Sequence, residues 1–169
     1  NKYGSDDRVF IRSMGSRGSL GGIAKNTQDV GDVLDASGKD IIIFETVGVG
    51  QGEYDVAEAA DITIVVLVPE SGDEIQLMKA GLIEIADLFV INKADREGSN
   101  RIASTLKNVL HHFSNDKLRE PDVLKTIAYQ GKGISELYLA VKEKLRLMEE
   151  SGDLTNRKLS RYKNRVSGI

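Results

Sequence analysis

A chain of 169 residues, with 40% hydrophobic and 29% charged side chains, fits one globular domain, since a chain of about this size buries roughly two-thirds of its unfolded surface. No apolar run approaches the roughly 20 residues of a membrane-spanning helix, and a net charge of -3 lacks the basic field that general affinity for nucleic acid or anionic membrane requires. The absence of cysteine excludes a disulfide framework, a thiolate metal site and a cysteine nucleophile, and it fits a reducing cytoplasm; Asn1 to Asp7 carry no apolar signal core.

In chain order, the first run rich in branched and aromatic residues is Val9 to Ile11, read as a buried strand. The glycine-rich segment Gly15 to Gly22 follows, then a second strand at Ile41 to Phe44 and a third at Ile62 to Val68. Ser71 and Glu74 form a possible capping box, with Asp73 competing for the cap, ahead of a helix carrying Ile75, Met78 and Leu82 on one face. Leu88 to Ile91 reads as a fourth strand and Val123 to Ala128 as a fifth. Ile134, Leu137, Tyr138, Val141, Leu145 and Met148 recur at helical spacing. Gly152 to Ile169 holds Arg157, Lys158, Arg161, Lys163 and Arg165 with little apolar periodicity, which leaves a solvated tail or the start of a further helix open. Strands with continuous apolar runs alternating with amphipathic helices indicate an α/β fold, a mainly parallel sheet flanked by helices, with ligands at the C-terminal ends of the strands.

Asn92-Lys93-Ala94-Asp95 stands directly after the fourth strand. A carboxylate there can accept both the N1–H and the 2-amino hydrogens of guanine, a pair of donors that adenine does not present, so Asp95 would select GTP over ATP. Asn92 and Lys93 would buttress the loop and pack on the base. The plainer reading, a polar turn leaving a strand, needs no ligand. Glu45-Thr46-Val47-Gly48-Val49-Gly50-Gln51-Gly52 follows the second strand: an acid at a strand tip can orient magnesium and its water, and Gly48 lets a backbone N–H approach a γ-phosphate. A dinucleotide fingerprint fails here because its third glycine falls on Glu53. Thr126-Ile127-Ala128, before Gln130-Gly131-Lys132-Gly133, is a loop from which a backbone N–H can bind the base O6. No Gly-x-x-x-x-Gly-Lys-Ser/Thr occurs, and Lys25 stands too far past Gly22 to replace its lysine. His111-His112 close a helical stretch without a metal-ligand pattern around them.

On these motifs the chain resembles the MeaB/ArgK-type GTPases, a family that includes the methylmalonic aciduria type A protein. The resemblance rests on Arg8 to Met14 with Arg17-Gly18 and Leu20-Gly21-Gly22, on Glu45 to Gln51, on Gly72-Asp73-Glu74 with Gln76, Lys79-Ala80-Gly81 and Glu84 to Asp87, and on Asn92 to Asp95. It spans about residues 8 to 148. The resemblance implies a P-loop NTPase G domain whose first strand and phosphate loop would lie upstream of Asn1. Residues 1–151 then form a partial G domain, and 152–169 a basic tail or the start of a C-terminal dimerisation arm. It implies GTP hydrolysed to GDP and phosphate with Mg2+, in a cytoplasmic chaperone of adenosylcobalamin-dependent methylmalonyl-CoA mutase that is a homodimer at full length and has no nucleic-acid or membrane partner.

Site residues follow from both readings. Glu45 takes the magnesium through water, and the family uses a glutamate there; Gln51 helps place the attacking water; Gly48, Asn92, Lys93, Asp95, Thr126, Ile127 and Ala128 hold the nucleotide. The resemblance makes Asp73, Gln76 and Lys79 parts of a switch that signals to the partner, where an ordinary amphipathic helix would only turn them to water. The family motif has serine where this chain has Ile127. The competing functions are a non-catalytic binding or assembly module, a related metal-insertion GTPase, which the lack of histidine and cysteine ligands disfavours, and a transport-associated nucleotide-binding protein.

Overall fold

The computed structural model describes residues 6–14, 27–46, 58–69, 81–113 and 120–167. The chain divides into two compact units, Asn1–Val56 and Ala57–Ile169.

In the first unit, α1 spans Thr27–Ala36 and ends where Gly38, at φ 85°, takes the left-handed region and the Lys39 N–H is donated to the Leu34 carbonyl at 3.2 Å. Gly31, inside α1, lies against the Phe44 ring so closely that a Cβ there would come within 2.6 Å of Phe44 Cζ. The missing side chain costs some helix propensity and admits an aromatic ring in exchange.

Val9 to Ile11 and Ile41 to Phe44, expected as strands, are not in a ladder among the described residues. Exposure alternates along 41–46 with the two-residue period of an extended chain, the Phe44 face half-covered and Ile43 left 83% exposed. Local apolar pattern dictates the extended backbone, but a buried strand also needs a hydrogen-bonded neighbour on its flank.

The second unit carries a parallel sheet. Its strands are β1 (Ile64–Leu67), β2 (Leu88–Ile91) and β3 (Asp122–Lys125), in that spatial order, with Val65, Phe89 and Val123 in register. β2 lies between the other two, and each of its four residues is buried, Leu88, Phe89 and Ile91 completely. Each such side chain contributes about 1.5–3 kcal/mol by leaving water. The strand from Ile62 to Val68 is shorter than expected at both ends, and β3 stops at Lys125 because Thr126 onward turns away to form the loop described below.

Helix α2 (Leu82–Ile85) leads into β2, and α3 (Ser99–Phe113) returns over the sheet. Ile102, Leu106 and Leu110 recur every four residues on α3 and join Leu67, Leu82, Phe89 and Ile91 in one core. After β3, α4 (Ile134–Ser151) packs on β3 and on α5 (Asp153–Ser167), with Gly152 at φ 79° turning the chain from one helix into the next. The 152–169 segment is thus helical over Asp153–Ser167.

Beside the buried Leu154, what holds α5 is polar. Arg157 donates from both terminal nitrogens to Asp87, at 2.8 and 2.7 Å, and reaches the Asp61 carbonyl at 3.2 Å. One turn on, Arg161 pairs with the Asp61 carboxylate and the Ala59 carbonyl. Asp87 is 5% exposed and also accepts the Thr63 N–H at 2.9 Å. Its carboxylate, hydrogen-bonded to Arg157, raises that guanidinium's pKa above the usual range. The pair closes the end of the sheet at which β1 and β2 begin.

Candidate nucleotide-base site

The opposite end of the sheet carries the loops singled out by sequence. Beyond β2 the ladder continues for one bond, Asn92 N–H to the Leu67 carbonyl at 2.8 Å, and then the chain turns at Lys93, whose φ of 55° makes it the one non-glycine in the left-handed region among the described residues. A lysine held there stores strain of order 1 kcal/mol, which persists only where the surroundings over-determine the backbone. They do so here. The Arg96 N–H is donated to the Lys93 carbonyl at 3.0 Å, the Ala94 N–H to the Thr126 carbonyl at 3.0 Å, and the buried Ser99 hydroxyl to the Ala94 carbonyl at 2.9 Å.

Asn92 is the joint between the two loops. Its Oδ1 accepts from the Thr126 hydroxyl and from the Ala128 N–H, both at 3.1 Å, so a residue at the end of β2 fixes the loop after β3. The second loop is also closed on itself: the Ile127 N–H is donated to the Lys132 carbonyl at 2.9 Å, and a short 3-10 turn, Ala128–Gln130, ends at Gly131 with φ 73°. Gly133, at φ 79°, starts α4 where a Cβ would stand 2.2 Å from the Lys125 carbonyl oxygen, so only glycine lets the helix begin so close to β3.

Asp95 comes out of this scaffold exposed, its Oδ2 accepting the Tyr129 hydroxyl at 3.1 Å. Asn92, Lys93, Asp95, Thr126, Ile127 and Ala128 therefore gather at the C-terminal ends of β2 and β3, as their spacing suggested. The arrangement presents a carboxylate with acceptor positions to spare on a rigid turn, suited to a ligand edge with two adjacent N–H donors. The amides of Thr126, Ile127 and Ala128 are each donated within the protein, so a ligand oxygen approaching Ala128 shares that N–H with Asn92.

Glu45 is exposed in the Asn1–Val56 unit; Gly48, Gln51, Asp73, Gln76 and Lys79 lie outside the described residues. Among the described residues no group of three metal-ligating side chains occurs, and magnesium commonly takes only one or two carboxylates beside phosphate oxygens, which a single exposed Glu45 can satisfy. His111 and His112 end α3 exposed, His111 Nδ1 lying 3.6 Å from Glu120. Sequence reasoning missed Ser99 and Tyr129. A hydroxyl just beyond Ile127 was the one available signal for Tyr129.

The family model described as Methylmalonyl Co-A mutase-associated GTPase MeaB matches residues 1–169. The chain belongs to the MeaB family. Among MeaB-like relatives, a Pyrococcus abyssi protein provisionally named a GTPase is 47% identical over 99% of this chain and 53% of its own length. The methylmalonic aciduria type A homolog, mitochondrial, of Mus musculus is 35% identical over 94% of the chain and 39% of its own length. The chain spans about half the length, or somewhat less, of these curated relatives. A crystal structure of LAO/AO transport system kinase superposes with a TM-score of 0.71 at 28% identity, covering 85% of this chain and 47% of that one. The MeaB family is a GTPase family, and the α/β fold with its parallel sheet agrees with that solved structure.

Proposed function

We propose that this chain supplies the base-reading part of a protein that binds GTP, hydrolyses it to GDP and phosphate, and acts as a chaperone of adenosylcobalamin-dependent methylmalonyl-CoA mutase. The observation that carries the reading is the exposed Asp95 carboxylate, set on a turn that Asn92, Ser99 and Thr126 hold at the C-terminal end of the sheet. Guanine offers N1–H and N2–H side by side, and the two Asp95 oxygens accept both; adenine offers no such pair. Lys93 packs its stem along the base plane and Ala128 faces the base oxygen, with Thr126 and Ile127 holding that loop.

Magnesium, when bound, neutralises charge on the phosphate oxygens. Glu45 would hold it, Gly48 would bring a backbone N–H to the γ-phosphate, and Gln51 would orient the attacking water. Asp73, Gln76 and Lys79 carry the nucleotide state to the mutase, and residues 152–169 begin the arm through which a homodimer forms in the cytoplasm. The family description supports the partner, and the name of the mouse relative is in keeping with it.

The test is Asp95→Asn in the full-length protein, with guanosine and xanthosine triphosphates competing for the site. Xanthine carries an oxygen where guanine carries the 2-amino group, and an asparagine amide donates to it. The expected result is a swing in preference of about 100-fold or more toward xanthosine, roughly 3 kcal/mol. An unchanged preference would remove the guanine reading.

A further inference from the structure

Asp95 leads an exposed life for a residue that must meet two donors at once. A surface aspartate ordinarily samples several rotamers, and selecting one on binding costs side-chain freedom. In this structure a second side chain already makes the selection. The Tyr129 hydroxyl donates to Asp95 Oδ2 at 3.1 Å, and the Gln130 amide donates to the same hydroxyl at 2.6 Å. A phenol has one hydrogen to give. With Gln130 filling an acceptor position on the oxygen, that hydrogen is directed at Asp95, and the chain of two bonds is polarised toward the carboxylate.

We propose that Tyr129 is a positioning residue for base selection, its hydroxyl holding the Asp95 carboxylate in the orientation from which it meets the guanine edge. The proposal rests on the guanine reading above and adds a residue to it. Three features support a holding role over a packing one. Tyr129 is 74% exposed, so it contributes little to the core. Its backbone sits in the Ala128–Gln130 turn, fixed on one side by Ala128 on Asn92 and on the other by the Ile127–Lys132 bridge, so the hydroxyl is delivered from a rigid base. Ile127, two residues earlier, has no polar atom on its side chain to offer Asp95, and Tyr129 supplies the donor instead.

Carboxylate stoichiometry leaves room for the base. An ionised Asp95 has about four acceptor positions, of which the phenol takes one and guanine needs two. The hydroxyl and the base therefore bind together, and the phenol is not displaced on entry.

The experiment compares GDP, IDP and ADP binding to the full-length protein and to its Tyr129→Phe variant by calorimetry. IDP carries hypoxanthine, which keeps N1–H and lacks the 2-amino group, so the GDP:IDP ratio reports how well both carboxylate oxygens are aimed. Tyr129→Phe removes one oxygen from an exposed ring and leaves the turn intact. We expect GDP to bind about fivefold more weakly, the worth of one hydrogen bond, with IDP affected less and the GDP:IDP ratio narrowed. A merely structural loss would weaken both nucleotides equally and leave the ratio untouched. A guanine-selective wild type whose GDP:IDP ratio survives the substitution overturns the positioning role alone, as does tighter GDP binding, which would make the phenol an obstruction. A wild type that binds ADP as well as GDP overturns the guanine reading, and this proposal with it.

Discussion

Two aspartates flank the central strand of the sheet, and their surroundings could hardly differ more. Asp87, immediately before β2, is 5% exposed and has its oxygens filled by Arg157 twice and by the Thr63 N–H. Asp95, four residues beyond the strand, is exposed and accepts one phenol hydrogen. A buried carboxylate with three of its about four acceptor positions taken up inside the protein has little left to offer a ligand, and it fastens elements together. One that is aimed and left largely unfilled is available. The same residue type thus acts as a fastener at one end of β2 and as a candidate reader at the other, and residual acceptor capacity separates the two more cleanly than charge does.

The sharpest way to break the comparison is to disable each aspartate in turn, Asp87 through its partner and Asp95 directly. Arg157→Met keeps most of the apolar stem and deletes the guanidinium, which leaves Asp87 buried and unpaired. Fully buried pairs lose about 3–5 kcal/mol when one member goes; the Arg157 side chain is 40% exposed, so water relieves part of the cost and about 2–3 kcal/mol is expected. The midpoint of urea unfolding of the full-length protein measures it, and the GDP:IDP ratio should stay put. Asp95→Ala should do the reverse, moving stability by no more than about 0.5 kcal/mol while selectivity collapses. If both substitutions destabilise equally, the distinction between fastener and reader is lost.

A middle case sharpens it. Asn92 belongs to the loop but its Oδ1 is spoken for, taking the Thr126 hydroxyl and the Ala128 N–H. Asn92→Ala strands the buried Thr126 hydroxyl, at a cost of about 1–2 kcal/mol in stability, and frees the second loop. Selectivity should fall as well, because this residue fastens the reader's own frame. Asn92→Asp keeps an acceptor at the same place and should recover most of the stability; a variant as unstable as the alanine one would show that the two bonds are not what matters.

How much of this could be read from the sequence depends on the range of the interaction. Leu88 to Ile91 was legible to the residue, because a four-residue apolar run buried on both faces leaves no other strand boundary. The helix through Ile134 and Met148 followed from spacing, and Asn92 to Asp95 with Thr126 to Ala128 came together because loops at the ends of neighbouring parallel strands must meet. Arg157 with Asp87 was beyond reach: the two are 70 residues apart, and no local pattern pairs them. For the same reason the 152–169 segment stayed open between tail and helix, since two arginines and Leu154 hold α5 where an apolar stripe was sought. Tyr129 carried only a weak signal, a single hydroxyl just beyond Ile127 in a polar loop. The runs at Val9 to Ile11 and Ile41 to Phe44 show the opposite case, an apolar pattern with no ladder among the described residues.

The smallest expected effect concerns the fastener's neighbour. Thr63 precedes β1, and its backbone is fully engaged: the N–H goes to Asp87 Oδ2, and the carbonyl accepts from Asp87 at 2.9 Å and Leu88 at 3.3 Å. Its side-chain hydroxyl is buried without a hydrogen-bond partner among the described residues. Burying a hydroxyl in that condition costs about 1–3 kcal/mol, and valine fills nearly the same volume without the cost. Thr63→Val leaves both backbone bonds to Asp87 in place, so the pair with Arg157 survives and stability should rise by about 0.5–1 kcal/mol in the same urea experiment. A loss of more than about 1 kcal/mol would mean that the hydroxyl is bonded after all, and that the fastener extends from the Asp87 carboxylate to the side chain beside it.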